Sequence, residues 1–405
     1  LDVGSNTIKL VVGEMVKKKL NILAACDVPS SGVVDGLVVD PNKLLKPLQE
    51  VIHRCEEVIG LPIRQMVVAV PALNASFEIV SGTVPINNEG NLIEGKDIIR
   101  VVQNAVKSRK KSDLEYISMI PTSFSLDDNR IVKDPKGLTS KVLSTRGVIV
   151  STPKENIYPI LACLERLNIE VVDITLTTIG DYFEFKNKVL DKQVGVVINI
   201  GGATTTMSVF NKGVLTNTKV RKVGGEDIDK DISFIHNISL EDAKYLKEKF
   251  ATSHSNMATS EEIEVQDKTS KKIVLRNDEV SKTIMNRIQE VLKMCAREIN
   301  VLTKKEISYI IFTGGITESK NFELNLYDIF ENNAIIGIIK EIGVRHNRYS
   351  SCLGILKYYA YNASLKDKDY SIFTIDEQQT LSGANFEEQD ASVIGKLFGY
   401  IFNGW

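Results

Sequence analysis

The chain has 405 residues, of which 43% are hydrophobic and 25% are charged, and its 50 basic and 52 acidic residues leave a formal net charge of -2. This composition is typical of a globular protein of roughly two to four domains, and the charge balance argues against nucleic acid as the main partner. No apolar run reaches the roughly 18–20 residues of a membrane-spanning helix, and no basic-then-apolar segment predicts a leader. The five scattered cysteines, with no CxxC pair, indicate reduced thiols in a cytosolic protein.

The first half of the chain predicts an α/β arrangement. The glycine turn LDVGSNTIKL (1–10) leads into strand-like segments, and QMVVAVP (65–71) is a further short apolar run. Between them, residues 41–60 have apolar side chains at helical spacing and a final glycine, which predicts a helix. Residues 78–153 are predicted to form a compact insert of strands and one helix. This order of elements favours an α/β fold.

The second half of the chain repeats the first glycine turn. VINIGGATTTMSVF (197–210) has the same order of apolar residue, Asp or Asn, apolar residue, glycine and small residues. A charged block at 226–300 is predicted to be rich in helix, with a long amphipathic helix over 279–302. ISYIIFTGGIT (307–317) predicts a strand followed by a third glycine turn. Residues 362–390 are polar and lack periodicity, which is typical of a linker.

Glycine turns between strands can bind phosphate. Their backbone N–H groups point into the bend, and such a concave nest suits anionic oxygens. An acidic residue just before the turn can hold a hydrated Mg²⁺, because this ion keeps several waters and takes one or two carboxylates. Two such turns from two halves of one chain could clamp a triphosphate between two lobes, whereas the alternative is a pair of ordinary β-hairpins.

A second phosphate-binding pattern, GNLIEGKD (90–97), is rejected. It fits part of a phosphate loop, but Asp97 stands where Ser or Thr would bind Mg²⁺. Glu94 and Asp97 would also repel phosphate at a helix start.

Taken in order, these motifs resemble those of the actin-like ATPase superfamily, and most closely the FtsA family of bacterial cell-division proteins. The matching segments are LDVGSNTIK as the first phosphate loop, INIGGATTT as the second, VVDITLTTIGDY (171–182) and RYSSCLGILKYY (348–359) as the connecting segments, and IIFTGGIT as the adenosine motif. The stretches SSGVVDGLVVD (30–40) and VRKVGGEDIDKDIS (220–233) are similar to FtsA in particular. The resemblance covers essentially the whole chain.

The resemblance implies an α/β, two-lobed actin-like fold with an FtsA-type 1C insert domain and a C-terminal amphipathic helix. The implied bounds are 1–77, 154–182 and 347–361 for domain 1A, 78–153 for domain 1C, 183–236 and 300–346 for domain 2A, and 237–299 for domain 2B. A flexible linker over 362–390 and a membrane-targeting helix over 391–405 would follow.

The resemblance also implies ATP and Mg²⁺ as cofactors. Asp2 would orient the metal ion through water, and Lys9 could either reach a phosphate or be a solvated strand residue. The residues implied to bind the phosphates are Gly4, Ser5, Asn6, Thr7, Gly201, Gly202, Ala203, Thr204 and Thr205. The residues implied to contact the rest of the nucleotide are Gly224, Gly225, Lys244, Lys247, Gly314 and Gly315.

Two positions depart from the family pattern. The second phosphate loop usually begins with Asp, and here Asn199 stands in this catalytic position opposite Asp2. An amide cannot supply negative charge to a hydrated Mg²⁺ or help to activate the attacking water. Relatives also often have Glu where Lys244 stands. We therefore expect ATP binding with slow or absent hydrolysis.

The segment ASVIGKLFGYIFNGW (391–405) has one continuous apolar helical face. The face consists of Val393, Ile394, Leu397, Phe398, Ile401, Phe402 and Trp405. Two mid-helix glycines and a polar lead-in favour reversible attachment to a membrane surface, and docking onto the body or a partner is the alternative. Lys396 is the only basic residue of the segment, so attraction to anionic lipid should be weak.

We therefore expect an FtsA-like protein that polymerises on the inner face of the cytoplasmic membrane at the division site. By resemblance, it would bind the C-terminal peptide of the tubulin-like protein FtsZ through domain 2B, and it would bind lipids, further copies of itself and no nucleic acid. Two alternatives remain open. One is an actin-fold small-molecule kinase, and the other is an adaptor like PilM of pilus assembly, from which residues 391–405 would distinguish this chain.

Overall fold

The computed structural model describes residues 1–16, 19–107 and 113–365. The amphipathic helix predicted over 391–405 lies outside these residues, as does the predicted linker from residue 366 onward. Among the described residues, no helix combines the length and the apolar character that crossing a membrane requires.

The first segment of the chain contains most of one sheet and the helix that covers it. Its elements are β1 (Asp2–Val3), β2 (Thr7–Val16), β3 (Lys19–Pro29), β4 (Val33–Val34), β5 (Leu37–Val38), α1 (Pro41–Ile59) and β6 (Gln65–Val70). Asp40 caps the start of α1, since its carboxylate accepts the Lys43 N–H at 3.2 Å. Gly60 ends this helix in the left-handed conformation with φ of 73°, as the sequence predicts.

The insert forms a separate four-stranded sheet with its own helix. Its elements are β7 (Ser76–Pro85), α2 (Gly95–Lys107), β8 (Glu115–Ser125), β9 (Ile131–Val132) and β10 (Val142–Thr152), with the strands in the order β7-β10-β8-β9. The segment 90–97 leads into α2, and the carboxylate of Asp97 is buried there, 3.0 Å from Arg100. A carboxylate of the protein thus already occupies the start of α2, which agrees with rejecting this segment as a phosphate loop.

After the insert the chain returns to the first sheet. It forms α3 (Tyr158–Arg166), β11 (Glu170–Leu176) and α4 (Thr177–Phe185). The first sheet has the order β11-β6-β1-β2-β3, in which β1, β6 and β11 are parallel and β2 is antiparallel to β1. Buried side chains of α1 and α3 cover it, and these include Leu44, Leu48, Val51, Ile160 and Leu164. We call this sheet with α1 and α3 the first lobe.

The second lobe contains a sheet and the helices that cover it. Its elements are β12 (Val194–Ile200), β13 (Thr205–Asn211), β14 (Val214–Arg221), α5 (Gly225–Ile235), α6 (Leu240–Tyr245), β15 (Glu262–Gln266), β16 (Lys272–Arg276), α7 (Asn277–Leu302), β17 (Tyr309–Thr313), α8 (Phe322–Phe330) and β18 (Ala334–Ile336). Its sheet has the order β14-β13-β12-β17-β18. In each sheet a central strand, β1 or β12, has an antiparallel hairpin partner on one side and a parallel strand on the other. The repeated glycine turn in the sequence therefore corresponds to a repeated sheet topology.

The last described helix, α9 (Ser350–Leu365), crosses α4 in direct backbone contact. A side chain at Gly180 would overlap the Ser351 carbonyl, and one at Gly354 would overlap Gly180. The prediction that the linker starts at residue 362 is wrong, because α9 continues to Leu365. Ala363 and Leu365 are buried, and this packing extends the helix.

Candidate functional site

A cleft of about 520 Å³ lies between the two lobes, and all three glycine turns line it. Most of the predicted site residues lie on its walls. They are Asp2, Gly4, Ser5, Asn6, Thr7, Lys9, Asn199, Gly201, Gly202, Ala203, Thr204, Gly225, Lys244, Lys247, Gly314 and Gly315. The other two residues that were predicted for the nucleotide site, Thr205 and Gly224, do not line the cleft.

The first glycine turn projects across the cleft towards the second. The hairpin of β4 and β5 holds this turn in place, because the Gly36 N–H donates a hydrogen bond of 2.8 Å to Ser5 Oγ. Asn6 Oδ1 is buried without a hydrogen-bond partner. A side chain at Gly202 would overlap the Asn6 amide. The two turns therefore face each other at contact distance.

Both turns present unpaired backbone donors to the cleft. In the part of the chain that the structure describes, the N–H groups of Ser5, Asn6, Gly202 and Ala203 have no protein acceptor. These residues all line the cleft. Four N–H groups from opposite walls can bind the oxygens of a polyphosphate, since backbone nests favour anions.

Asp2 and Lys9 form an ion pair on the first-lobe wall. They are partners across β1 and β2, with Lys9 Nζ 3.3 Å from Asp2 Oδ2. Lys9 Nζ also donates to the Thr7 carbonyl at 3.3 Å. The two side chains are only 11% and 12% exposed. Lys9 is therefore a residue of the cleft wall rather than a solvated strand residue.

The second glycine turn is held by the start of α5. The Gly225 N–H donates to the Gly201 carbonyl at 3.0 Å, and the Glu226 N–H donates to the Gly202 carbonyl at 2.8 Å. The carbonyl groups of this turn therefore point away from the cleft towards α5. This arrangement leaves the N–H side of the turn free for an anion.

Thr205 and Gly224 support the second turn from behind. Thr205 is fully buried, and its Oγ1 donates to the Val223 carbonyl at 2.8 Å. Because side chains alternate along β13, Thr206 lines the cleft instead. Gly224 packs against the carbonyl groups of the turn, where a side chain would not fit. Sequence order alone did not identify which threonine faces the cleft.

The third turn adds bare backbone to the second-lobe wall of the cleft. Gly314 adopts φ of +95°, and an added Cβ would lie 2.5 Å from Asn199 Oδ1. At Gly315 an added Cβ would contact nothing within 4 Å. The Thr317 hydroxyl donates to the Gly314 carbonyl at 2.8 Å and fixes the turn. A planar group could therefore lie against the bare backbone at Gly315.

The two predicted lysines differ in their surroundings. Lys247 lies 2.7 Å from Asp229 Oδ1 and donates to the Gly225 carbonyl at 3.0 Å, with 7% of its side chain exposed. Its charge is therefore already paired, and it connects the turn after α6 to the start of α5. That turn, Leu246–Phe250, is a π-helical turn, a feature that is frequent at functional sites. Lys244 on α6 is exposed at the edge of the cleft.

A buried carboxyl group that the sequence analysis missed lies behind Asn199. Asn199 Nδ2 donates to Asp181 Oδ2 at 2.9 Å, and Asp181 on α4 is 2% exposed. The hydroxyls of Ser350 and Ser351 donate to Asp181 Oδ1 at 2.6 and 2.9 Å. Burial raises the pKa of Asp181 to about 6, although these three hydrogen bonds lower it. The visible signal in the sequence was a single acidic residue in the otherwise uncharged segment ITLTTIGDYF (174–183).

The donors of the cleft fit a nucleoside triphosphate with Mg²⁺. The four free N–H groups and Lys9 could bind phosphate oxygens, and the backbone at Gly315 could accept a base or an α-phosphate. The Asp2 carboxylate and the Asn199 amide oxygen are hard oxygen donors, which Mg²⁺ prefers and can hold through its own waters.

Family models match two separate parts of the chain. One is described as "Cell division protein FtsA" and matches residues 196–354, and the other is described as "SHS2 domain inserted in FTSA" and matches residues 74–151. The chain is 29% identical over 372 residues to the cell division protein FtsA of Bacillus subtilis (strain 168), covering 91% of this chain and 84% of that protein. It is 26% identical over 367 residues to the FtsA of Enterococcus faecalis, covering 89% and 82%.

Solved structures share the fold at low identity. A PilM–PilN type IV pilus biogenesis complex matches with a TM-score of 0.59 at 14% identity, covering 87% of this chain and 95% of that chain. MreB5 of Spiroplasma citri bound to ADP matches with a TM-score of 0.52 at 14% identity, covering 85% and 82%. These likenesses confirm the predicted two-lobed actin-like fold, and the second family model confirms the insert domain.

Proposed function

Since this chain belongs to the FtsA family of cell-division proteins, we propose that it binds ATP with Mg²⁺ in the cleft and that the nucleotide joins its two lobes. One observation carries this proposal: two glycine turns from opposite lobes face each other at contact distance and present free backbone N–H groups to the space between them. A polyphosphate bound there would contact both lobes at once.

In this proposal the phosphates lie between the two turns. The N–H groups of Ser5, Asn6, Gly202 and Ala203 donate to phosphate oxygens. A half-turn of the Asn6 amide places its NH₂ group where the unpaired Oδ1 now lies, because the two orientations have nearly the same shape. Lys9 adds a positive charge beside Asp2. The base and ribose lie along the third turn and the exposed edge at Lys244.

Hydrolysis is proposed to be slow or absent. Bound Mg²⁺ would neutralise phosphate charge and orient the triphosphate. On the protein side, Asp2 is paired with Lys9 and Asn199 is neutral, so neither is a ready base for the attacking water. The nucleotide would then act mainly as a link between the lobes.

The membrane and partner functions are proposed from the sequence and the family. Residues 391–405 would bind the membrane surface through their apolar face, and filaments would raise the avidity because each subunit contributes one such segment. Domain 2B, at about 237–299, would bind the C-terminal peptide of FtsZ. The protein would thus attach FtsZ to the inner face of the cytoplasmic membrane at the division site.

The two alternative functions have less support. The likeness to PilM is at 14% identity and extends to the fold alone. A small-molecule kinase needs a carboxylate base next to a substrate hydroxyl, and Asn199 stands at the relevant position of the cleft.

The experiment that tests the proposal is liposome co-sedimentation of the full chain with ATP and Mg²⁺, with a chain that ends at Asp390 for comparison. Two point variants refine it, because Phe398→Glu and Asn403→Glu add the same charge to opposite faces of the helix that the sequence predicts. We expect the full chain and Asn403→Glu to pellet with filaments visible by electron microscopy, and the other two to stay in solution. If all four stay soluble, or if all four pellet, residues 391–405 are not the membrane anchor.

A further inference from the structure

Asp181 is a buried carboxyl group with neutral hydrogen-bond donors around it. Its three donors are Asn199, Ser350 and Ser351, which come from the second-lobe sheet and the start of α9. Across residues 1–16, 19–107 and 113–365, no Lys, Arg or His side chain forms an ion pair with it. Buried charges in proteins are normally paired or face a metal ion. The missing positive charge therefore requires an explanation.

The hydrogen bond to Asp181 fixes the orientation of the Asn199 amide. An ionised carboxylate only accepts hydrogen bonds, so the NH₂ group of Asn199 must face Asp181. The amide oxygen then faces the opposite way, towards Gly314 at the wall of the cleft. The pair thus presents an oxygen acceptor to the cleft and holds a negative charge one side chain behind it.

A purely structural function does not require this charge. An asparagine at position 181 could accept the two serine hydroxyls through its oxygen and still connect α4 with α9. An ionised carboxylate in the same place costs additional desolvation energy that neutral donors offset only in part. A charge in this position is useful when a cation binds nearby.

We propose that Asp181 is a positioning residue for a divalent cation bound with the nucleotide, and that it supplies through Asn199 the negative charge that the side chain at position 199 lacks. This inference rests on the proposed binding of ATP with Mg²⁺. In this arrangement the Asn199 oxygen accepts a hydrogen bond from a water of the hydrated ion, and the buried carboxylate strengthens the Asn199 dipole and the local negative potential. On the second-lobe side of the cleft, the charge thus comes from α4 rather than from β12.

The test measures ATP binding by calorimetry on the full chain over a series of Mg²⁺ concentrations. We expect Asp181→Asn to raise the Mg²⁺ concentration for half-maximal ATP binding by about ten- to a hundredfold, the usual effect of losing an outer-shell partner. The reciprocal variant, Asp181→Asn with Asn199→Asp, exchanges the carboxylate and the amide, keeps one charge and keeps the same hydrogen-bonded neighbours, with the amide at position 181 now donating to the carboxylate at position 199. It should restore the wild-type dependence on Mg²⁺.

A matched control separates charge from packing. Thr178→Val removes a buried hydrogen bond of the same helix to Ser208 without changing charge, and it should lower the melting temperature but leave the Mg²⁺ dependence unchanged. If Asp181→Asn lowers the melting temperature with unchanged Mg²⁺ dependence, the carboxyl group is only structural and the inference is overturned. If the wild type binds ATP equally with and without Mg²⁺, the inference fails while nucleotide binding stands. If the wild type binds no ATP at all, both proposals fail.

Discussion

The two hairpins whose glycine turns line the cleft have the same backbone arrangement and different charges. In the first lobe Asp2 lies opposite Lys9 across β1 and β2, and the two side chains form an ion pair. In the second lobe the equivalent pair across β12 and β13 is Asn199 and Thr206, both neutral. The acidic group of that side is Asp181, behind Asn199 and without an ion-pair partner among the described residues.

This difference separates two contributions that a glycine hairpin makes to the wall of a cleft. The backbone turn supplies the N–H groups, and both lobes retain it. The side chains next to the turn set the local charge, and here the lobes differ because one wall carries a closed ion pair and the other an unpaired buried carboxylate. The parallel neighbour of each central strand ends differently as well, since β6 is followed by Pro71 at the cleft and β17 by Gly314.

The largest effect is expected at Gly314, where the second-lobe wall has a glycine that the first lobe lacks. Gly314→Ala should lower the free energy of unfolding by about 3 kcal/mol, because the left-handed φ of +95° strains a side chain. The added Cβ would also lie 2.5 Å from Asn199 Oδ1. Chemical denaturation measures this loss.

The neighbouring glycine is the matched control. Gly315→Ala should change the free energy of unfolding by less than about 0.5 kcal/mol, since the added methyl group meets open space. It should nevertheless weaken ATP binding if the nucleotide lies against this backbone. Equal stability losses in both variants would contradict the geometry of the third turn.

Much of the fold could be predicted from the sequence because its signals are local. The glycine turns, the helical spacing of 41–60 and the apolar strands each depend on neighbouring residues, and the structure contains all of them. The end of α9 could not be predicted, since residues 362–365 only alternate polar and apolar side chains, and the burial of Ala363 and Leu365 depends on tertiary contacts.

The site could be predicted less completely because its contacts are distant in sequence. The glycines were identified, but Lys9 gave two interpretations, since its partner Asp2 is fixed only by the register of β1 and β2. Asp181 was missed because its partners lie on other elements, Asn199 at a separation of 18 residues and the serines at 350 and 351 at separations of 169 and 170. Local patterns do not reveal such a cluster.

The next effect concerns the ion pair between Lys9 and Asp2 in the first lobe, which a substitution of Lys9 removes. Lys9→Met keeps most of the side-chain packing but leaves the Asp2 carboxylate buried without its cation. We expect the free energy of unfolding to fall by about 2 kcal/mol, the cost of an unpaired buried group. Asp2→Asn combined with Lys9→Met should recover most of that loss, because no charge is then left unpaired. A Lys9→Met variant as stable as the wild type would mean that Lys9 is solvated and that the two lobes do not differ in this way.

Helix α4 carries a second buried carboxyl group, that of Glu184, and this one has a lysine as its ion-pair partner. Glu184 lies one turn after Asp181, and its carboxylate is 2.9 Å from Lys357 Nζ on α9. Lys357 is shared, since it also lies 2.5 Å from Glu341. Burial raises the pKa of Glu184 to about 7, and the Lys357 ammonium lowers it in part. One shared cation therefore does not fully offset the burial of this carboxyl group.

The sign of the pH effect follows from that shift. Between the ordinary value of 4.5 and about 7, the folded chain holds more protons than the unfolded chain, so this group makes the free energy of unfolding fall as pH rises through that window. Glu184→Gln cannot ionise, so it should match the wild type near pH 5 and exceed its stability by about 2 kcal/mol near pH 8. Urea denaturation at both pH values measures the difference, and Glu165→Gln, the same change at an exposed position of α3, is the matched control. If the stability difference does not grow with pH, Lys357 fully offsets the burial of Glu184. The two buried carboxyl groups of α4 would then differ only in that Glu184 has a cation as a partner and Asp181 does not.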